Sequence, residues 1–244
     1  MNPLLVGGIA FGAALLGAMS GGSTSLITTP AWMALGAPFP TAVAADKLAA
    51  TLWTASASRS YLRGLPVDRA LLAGMSLTGL VGAAIGAVVA TSVDERLLRR
   101  TAGALILAAI LWSLRRARPP ASPGPAMGRG LAAALALPLG LYEGLLGSGN
   151  AVFTSLLLQR ARHWDLIRAL GHYYALAAVW CGLAAAIYFA RGAFDWGLAI
   201  PATVGALIGA TVGARLGRLG GSRVVRPLFV AAGVFLSLRL LLGS

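Results

Sequence analysis

Asp46 and Lys47 stand side by side within a stretch, residues 40–61, that is otherwise mostly apolar or small. Thr51, Thr54 and Ser58 follow Lys47 at offsets of four, seven and eleven, so a helix carries all four side chains on one face. A charge at the centre of a membrane helix costs about 2.5–3.5 kcal/mol on insertion scales. Such a stripe should therefore face the protein interior, a water path or a bound solute. A lysine in that position attracts an anion, and the neighbouring aspartate sets its charge or carries a proton. The plainer alternative is an ion pair at a helix start, with the lysine reaching for the interface.

Three further sets carry chemical potential. Glu143 sits among apolar residues, which suits a proton carrier or a structural partner for Lys47 or an arginine. Asp46 and Glu143 are thus the proton-coupling candidates. His172, Tyr173 and Tyr174 form a second polar set, able to titrate near neutrality and to donate to a sulfonate or carboxylate, or else to act as an interfacial aromatic belt. The third set is a pair of uncharged breaks inside long apolar runs: Ser20-Gly21-Gly22-Ser23-Thr24 and Gly147-Ser148-Gly149-Asn150. A helix that starts inside a membrane leaves N–H groups unpaired and carries partial positive charge there. Glycine lets the backbone approach a ligand, and Ser, Thr or Asn cap the helix or donate to the ligand. Two such ends facing each other would cradle an anion without a net charge. The substrate-binding candidates are therefore Ser20, Gly21, Gly22, Ser23, Thr24, Lys47, Thr51, Gly147, Ser148, Gly149, Asn150, His172 and Tyr173.

The elements that position these groups follow from composition. The chain has 244 residues, 58% hydrophobic and only 11% charged, with a mean hydropathy of +0.80. Soluble domains carry about 25% charged residues, so a multi-pass, all-helical membrane protein is predicted. The net charge of +13 lies mostly in arginines between apolar segments, where it fixes orientation against headgroups rather than binding nucleic acid. One cysteine and two histidines offer no metal or disulfide framework. Intramembrane-enzyme motifs such as His-Glu-x-x-His or Gly-x-Ser-x-Gly are absent. No catalytic residue, cofactor or metal is predicted.

The basic, proline-rich segment 115–128 divides the chain into repeats at 1–114 and 129–244. A shift of 127 lays GAMSGGST, from Gly17, on GLLGSGNA, from Gly144. Tyr61-Leu62-Arg63-Gly64 meets Phe189-Ala190-Arg191-Gly192, and the glycine run at Gly82 and Gly86 meets that at Gly205 and Gly209. Each half thus reads as a glycine-broken segment followed by three helices, the last two expected at 195–215 and 223–242 in the second half. Eight plain spans would divide the 20 Lys and Arg almost evenly between the membrane faces. If each broken segment is instead a re-entrant hairpin, only Lys47, Arg96, Arg99, Arg100, Arg191 and Arg239 fall on one face. The positive-inside rule favours the second arrangement. It makes the two repeats inverted, with both termini periplasmic and segment 115–128 cytoplasmic. Inverted repeats with broken helices are a recurrent transporter plan.

In order along the chain, the first break, Pro30, TAVAADKLAATLW, YLRGLPVD, GLLGSGNAVF, ALGHYYALAAVW and YFARGAFDW resemble the TauE/SafE sulfite-exporter-like family. Asp46-Lys47-Leu48 stands where members often have Asn-Lys-Leu, so Lys47 carries over. The resemblance implies a bacterial inner-membrane protein of two repeats that moves sulfite, sulfonates such as sulfoacetate, or other small organosulfur or organic anions. The reading is a secondary transporter exporting a small anion by alternating access, with an anion channel on the same scaffold as its rival. Its partners would be the solute and the bilayer, with a homodimer as one admissible assembly.

Overall fold

A computed structural model of the chain describes residues 1–90, 104, 107, 108, 111, 126–145, 147 and 149–242. Ser148, the last apolar helix expected in the first repeat (residues 97–114) apart from four of its residues, and most of the 115–128 linker lie outside them. Eight helices are bounded among the described residues: α1 (Pro3–Ser20), α2 (Ser25–Ala34), α3 (Phe39–Leu62), α4 (Arg69–Val89), α5 (Arg129–Leu145), α6 (Asn150–Arg162), α7 (Leu166–Ala190) and α8 (Trp196–Leu242). No strand occurs among the described residues.

The helix boundaries have local causes. Pro3 opens α1, and the Asn2 side chain accepts the Leu4 N–H. Gly21 ends α1 in the left-handed conformation, φ 73°. Asp68 caps α4 by accepting from Leu71 N–H, and Asp165 caps α7 by accepting from Arg168 N–H. The sequence separates 195–215 from 223–242, whereas the backbone of α8 stays helical across both, with Pro227 inside it. Val230 and Val234 on its C-terminal part still pack on the largest core cluster.

Packing runs on small residues. α1 lies on α8, α4 on α5, and α3 on both α7 and α8, while α7 also meets α4. Every one of these contacts joins the first half of the chain to the second. Exchanging the halves maps α1–α8 onto α5–α4, and α3–α8 onto α7–α4. A Cβ on Gly205, Gly209 or Gly213 would collide with the carbonyl of Gly7, Phe11 or Leu15 on α1. A Cβ on Gly82 or Gly86 would meet Leu137 O or Leu141 O on α5, and one on Gly140 or Gly144 would meet Gly79 O or Ala83 O on α4. The glycines spaced by four therefore let backbones touch, the close approach on which helix association in lipid depends.

α1, α4, α7 and the Trp196–Gly220 stretch of α8 are long and apolar enough to cross a membrane. Leu4, Leu77, Val81, Ile200 and Ile208 are each more than half exposed. In water such a surface would drive aggregation, and in hydrocarbon it is at home. The chain is a multi-pass membrane protein.

Candidate functional site

The three acids and bases singled out in the sequence are all buried. Asp46, Lys47 and Glu143 expose 4%, 2% and 3% of their surfaces. Lys47 does not reach for an interface. Its Nζ donates to the Glu143 backbone carbonyl and lies 3.2 Å from Glu143 Oε1. An ion so buried is tolerable only when paired and fully hydrogen-bonded, and the partners are present. Glu143 Oε2 accepts from Asn150 Nδ2 at 2.8 Å and from the Tyr173 hydroxyl at 3.4 Å, and Oε1 accepts from Cys181 Sγ at 3.3 Å. Asp46 Oδ1 accepts from the hydroxyls of Thr24 at 3.0 Å and Thr28 at 2.8 Å.

The two glycine breaks position these donors. After Gly21 the chain turns, Gly22 N–H donates to Gly17 O and to Ser20 Oγ, and α2 begins at Ser25. Thr24 stands at the helix start but gives its hydroxyl to Asp46 instead of capping α2. In the second break Gly147 and Gly149 both have positive φ, 66° and 81°. Gly147 tolerates no side chain: a Cβ would collide with Lys47 Nζ and press on Glu143 Oε1. Asn150, fully buried, ties the break back to α5 through Leu139 O and Glu143.

One cavity lies where these pieces meet. It is lined by Gly22, Ser23 and Thr24 of the first break, by Ser25 at the start of α2, by Gly147 of the second break, and by Asp46, Lys47 and Glu143. Ala50, Trp53, Thr54, Tyr173, Ala177 and Cys181 complete the wall. The free space is on the order of one water molecule. Among the described residues no group of three or more His, Cys, Asp or Glu could hold a metal ion.

The family model for the sulfite exporter TauE/SafE matches residues 6–240, nearly the whole chain. The chain belongs to the TauE/SafE family. A probable membrane transporter protein, ORF9, of a Sinorhizobium species is 27% identical over 95% of this chain and 89% of its own length. The probable membrane transporter protein YfcA of Escherichia coli K12 is 28% identical over 100% of this chain and 92% of its own. A probable membrane transporter protein of Haemophilus influenzae is 25% identical over 91% and 88%. No solved structure matches.

In this TauE/SafE chain eight of the sequence-predicted residues line the cavity (Gly22, Ser23, Thr24, Asp46, Lys47, Glu143, Gly147 and Tyr173); Gly21, Gly149 and Asn150 stand beside them in the breaks, and three others turn elsewhere. Thr51 bonds Lys47 O and lies against Gly182. Ser20 turns its hydroxyl back to Leu16 O. His172, adjacent in sequence to Tyr173, points elsewhere: its Nε2 accepts from the Asp68 N–H at 3.3 Å, its Nδ1 lies 2.8 Å from Arg168 O, and its ring stacks on Trp164 at 4.2 Å. It belongs to a cluster at the far end of α7. There Asp68 receives Arg162 Nη2 at 2.9 Å and Arg129 Nη2 at 3.2 Å, and Arg168 covers Trp164.

Sequence reasoning missed Trp53, Ala177 and Cys181. Their signal is spacing. Tyr173, Ala177 and Cys181 recur every four residues on α7, and Asp46, Ala50 and Trp53 follow at i, i+4 and i+7 on α3. The cavity lies on the Asp46 side of Lys47 rather than on the Thr51 side. Trp53 is 3% exposed, and its Nε1–H has no hydrogen-bond partner.

Proposed function

We propose that the protein is a secondary transporter that exports a small anion, namely sulfite, a sulfonate such as sulfoacetate, or another organosulfur or organic anion. The anion would occupy the cavity between the halves, and alternating access would carry it across. The carrying observation is convergence: both glycine breaks, the start of α2 and the one buried lysine line a single cavity in a TauE/SafE chain. The ammonium and the partial positive charge at the start of α2 suit an oxyanion. The cavity is narrow and its lysine ion-paired, which favours a carrier that must rearrange over a standing pore.

Contact registers support inverted repeats. Residues 7, 11 and 15 of α1 meet 205, 209 and 213 of α8 in the same order, and 79 and 83 of α4 meet 140 and 144 of α5 in the same order. α3 meets its counterpart α7 in the opposite order, with Thr51 at Gly182 and Ser58 at Gly171. The end holding Asp68 gathers Arg63, Arg129, Arg162, Arg168 and Arg218. The positive-inside rule assigns that end to the cytoplasm of a bacterial inner membrane, and both termini to the periplasm.

A thermal-shift screen of purified protein against sulfite, thiosulfate, sulfoacetate, taurine and small carboxylates, followed by proteoliposome flux, tests the substrate class. An anion that stabilises the protein should also show counterflow. Single-channel currents without counterflow would favour a channel. A C-terminal reporter fusion that is active in the cytoplasm would overturn the orientation.

A further inference from the structure

The Glu143 carboxylate already occupies the place that a bound oxyanion would need. Its two oxygens take the Lys47 ammonium from α3, the Asn150 amide from α6, and the Tyr173 hydroxyl and Cys181 thiol from α7. These donors come from three helices and leave the lysine committed. Lys47 Nζ is further held by the Glu143 backbone carbonyl. Among the described residues no second Lys or Arg lines the cavity.

Charge counting sharpens the difficulty. The cavity wall holds one cationic side chain, Lys47, and two carboxyls, Asp46 and Glu143. With both carboxyls ionised the site is already negative by one charge. Adding an anion would bury a second unpaired negative charge, which a low-dielectric interior resists strongly.

We propose that Glu143 is an internal stand-in for the cargo, and that an incoming anion takes over its donors as Glu143 takes up one proton. This deepens the transporter reading above and rests on it. A proton from the aqueous phase to which the cavity opens adds to the Glu143 carboxylate, giving the neutral acid. Lys47 then loses its counter-ion and pairs with the cargo. One proton and one monoanion enter together, so the charge of the site is unchanged between empty and loaded states. Anion and proton therefore cross in the same direction.

The surroundings single out Glu143 over Asp46 as the group that exchanges. Asp46 receives two threonine hydroxyls, whereas the lysine ammonium hydrogen-bonds Glu143. The titratable or charged groups facing Glu143 among the described residues are Lys47 and Asp46 on α3, Tyr142 on α5 itself, and Tyr173 and Cys181 on α7. α6 presents the uncharged Asn150, and α4 meets α5 through Gly79, Gly82, Ala83 and Gly86.

The test is calorimetric titration of the full-length protein in detergent with methanesulfonate and with thiosulfate, neither of which titrates between pH 5.5 and 8.5. Runs in two buffers of different ionisation enthalpy give the proton count. For methanesulfonate the expected result is uptake approaching one proton per anion at the alkaline end, with affinity falling about tenfold per pH unit there. Glu143→Gln should bind more tightly at pH 8 and show neither proton uptake nor pH dependence. Asp46→Asn should keep the proton uptake. Wild-type binding without proton uptake overturns the proposal, as does Glu143→Gln retaining the wild-type pH dependence or Asp46→Asn abolishing it. If Glu143→Gln does not fold, the wild-type proton count decides alone. Absence of binding by both anions at every pH, in a monodisperse protein, would instead sink the anion-site reading itself.

Discussion

The Lys47–Glu143 pair and the Asp68–Arg129–Arg162 cluster use the same chemistry in opposite settings. In the first, the side chains are 2% and 5% exposed and lie at the wall of a small internal cavity. In the second, Arg129 is 61% exposed, Arg162 is 19% exposed and the carboxylate is 9% exposed. Removing one member of a buried pair costs about 3–5 kcal/mol because the other is left uncompensated. An exposed pair contributes about 0–1 kcal/mol. The inner pair is therefore a poor fastening and a good switch, since anything that neutralises or replaces one partner frees the other. The outer cluster is a fastening, tying the starts of α4 and α5 to the end of α6. Burial, more than residue type, separates the two roles.

The largest expected effect comes from removing the frame both clusters share. Gly209→Leu or Gly82→Leu drives a side chain into a facing backbone carbonyl, so detergent-solubilised protein should aggregate on size exclusion. A monodisperse, active Gly209→Leu protein would mean that the helix contact is not needed. Next, Lys47→Ala should abolish proteoliposome flux while the protein still inserts, with a fall in thermal stability from the orphaned Glu143. Retained flux would remove the inner cluster from the transport path.

A smaller effect belongs to Asp68. Burial alone would lift its carboxyl, but the Leu71 N–H, Arg129 and Arg162 outweigh it and hold it below the ordinary carboxylate range. An acid that titrates lower in the folded state stabilises the fold above its unfolded value, about 3.9, and that contribution fades as pH falls through the folded value. Asp68→Asn should cost about 0.5–1 kcal/mol near neutrality, lose less of its stability than wild type does below pH 4, and leave flux within about twofold. Loss of flux at unchanged stability would erase the distinction between the clusters. The smallest change is expected for His172→Gln, whose side chain can still bond near the Asp68 N–H. Its flux and its pH dependence should match wild type, and a shifted pH profile would return this histidine to the transport site.

Much of this was legible in the sequence because it depends on local cost. Asp46, Lys47 and Glu143 are expensive in an apolar run, so they had to find partners. Glycine clusters in mid-run had to break helices, and glycines every four residues had to make room. What was not legible depends on angle. Neighbouring residues on a helix point about 100° apart, which is the whole difference between Tyr173 at the cavity and His172 at the Asp68 cluster. The sequence also showed Lys47 with several possible partners. The fold pairs it with Glu143, and a Cβ on Gly147 would press on both side chains of that pair.

The traffic of contacts between halves has a consequence for how the protein is made. α1 is made before α8, yet the glycine face it packs against belongs to α8. α4 likewise waits for α5. Neither half is a module in the sense of a unit that closes its own interfaces. Fragments severed within segment 115–128 should each be short-lived when synthesised alone, and should rescue one another when synthesised together.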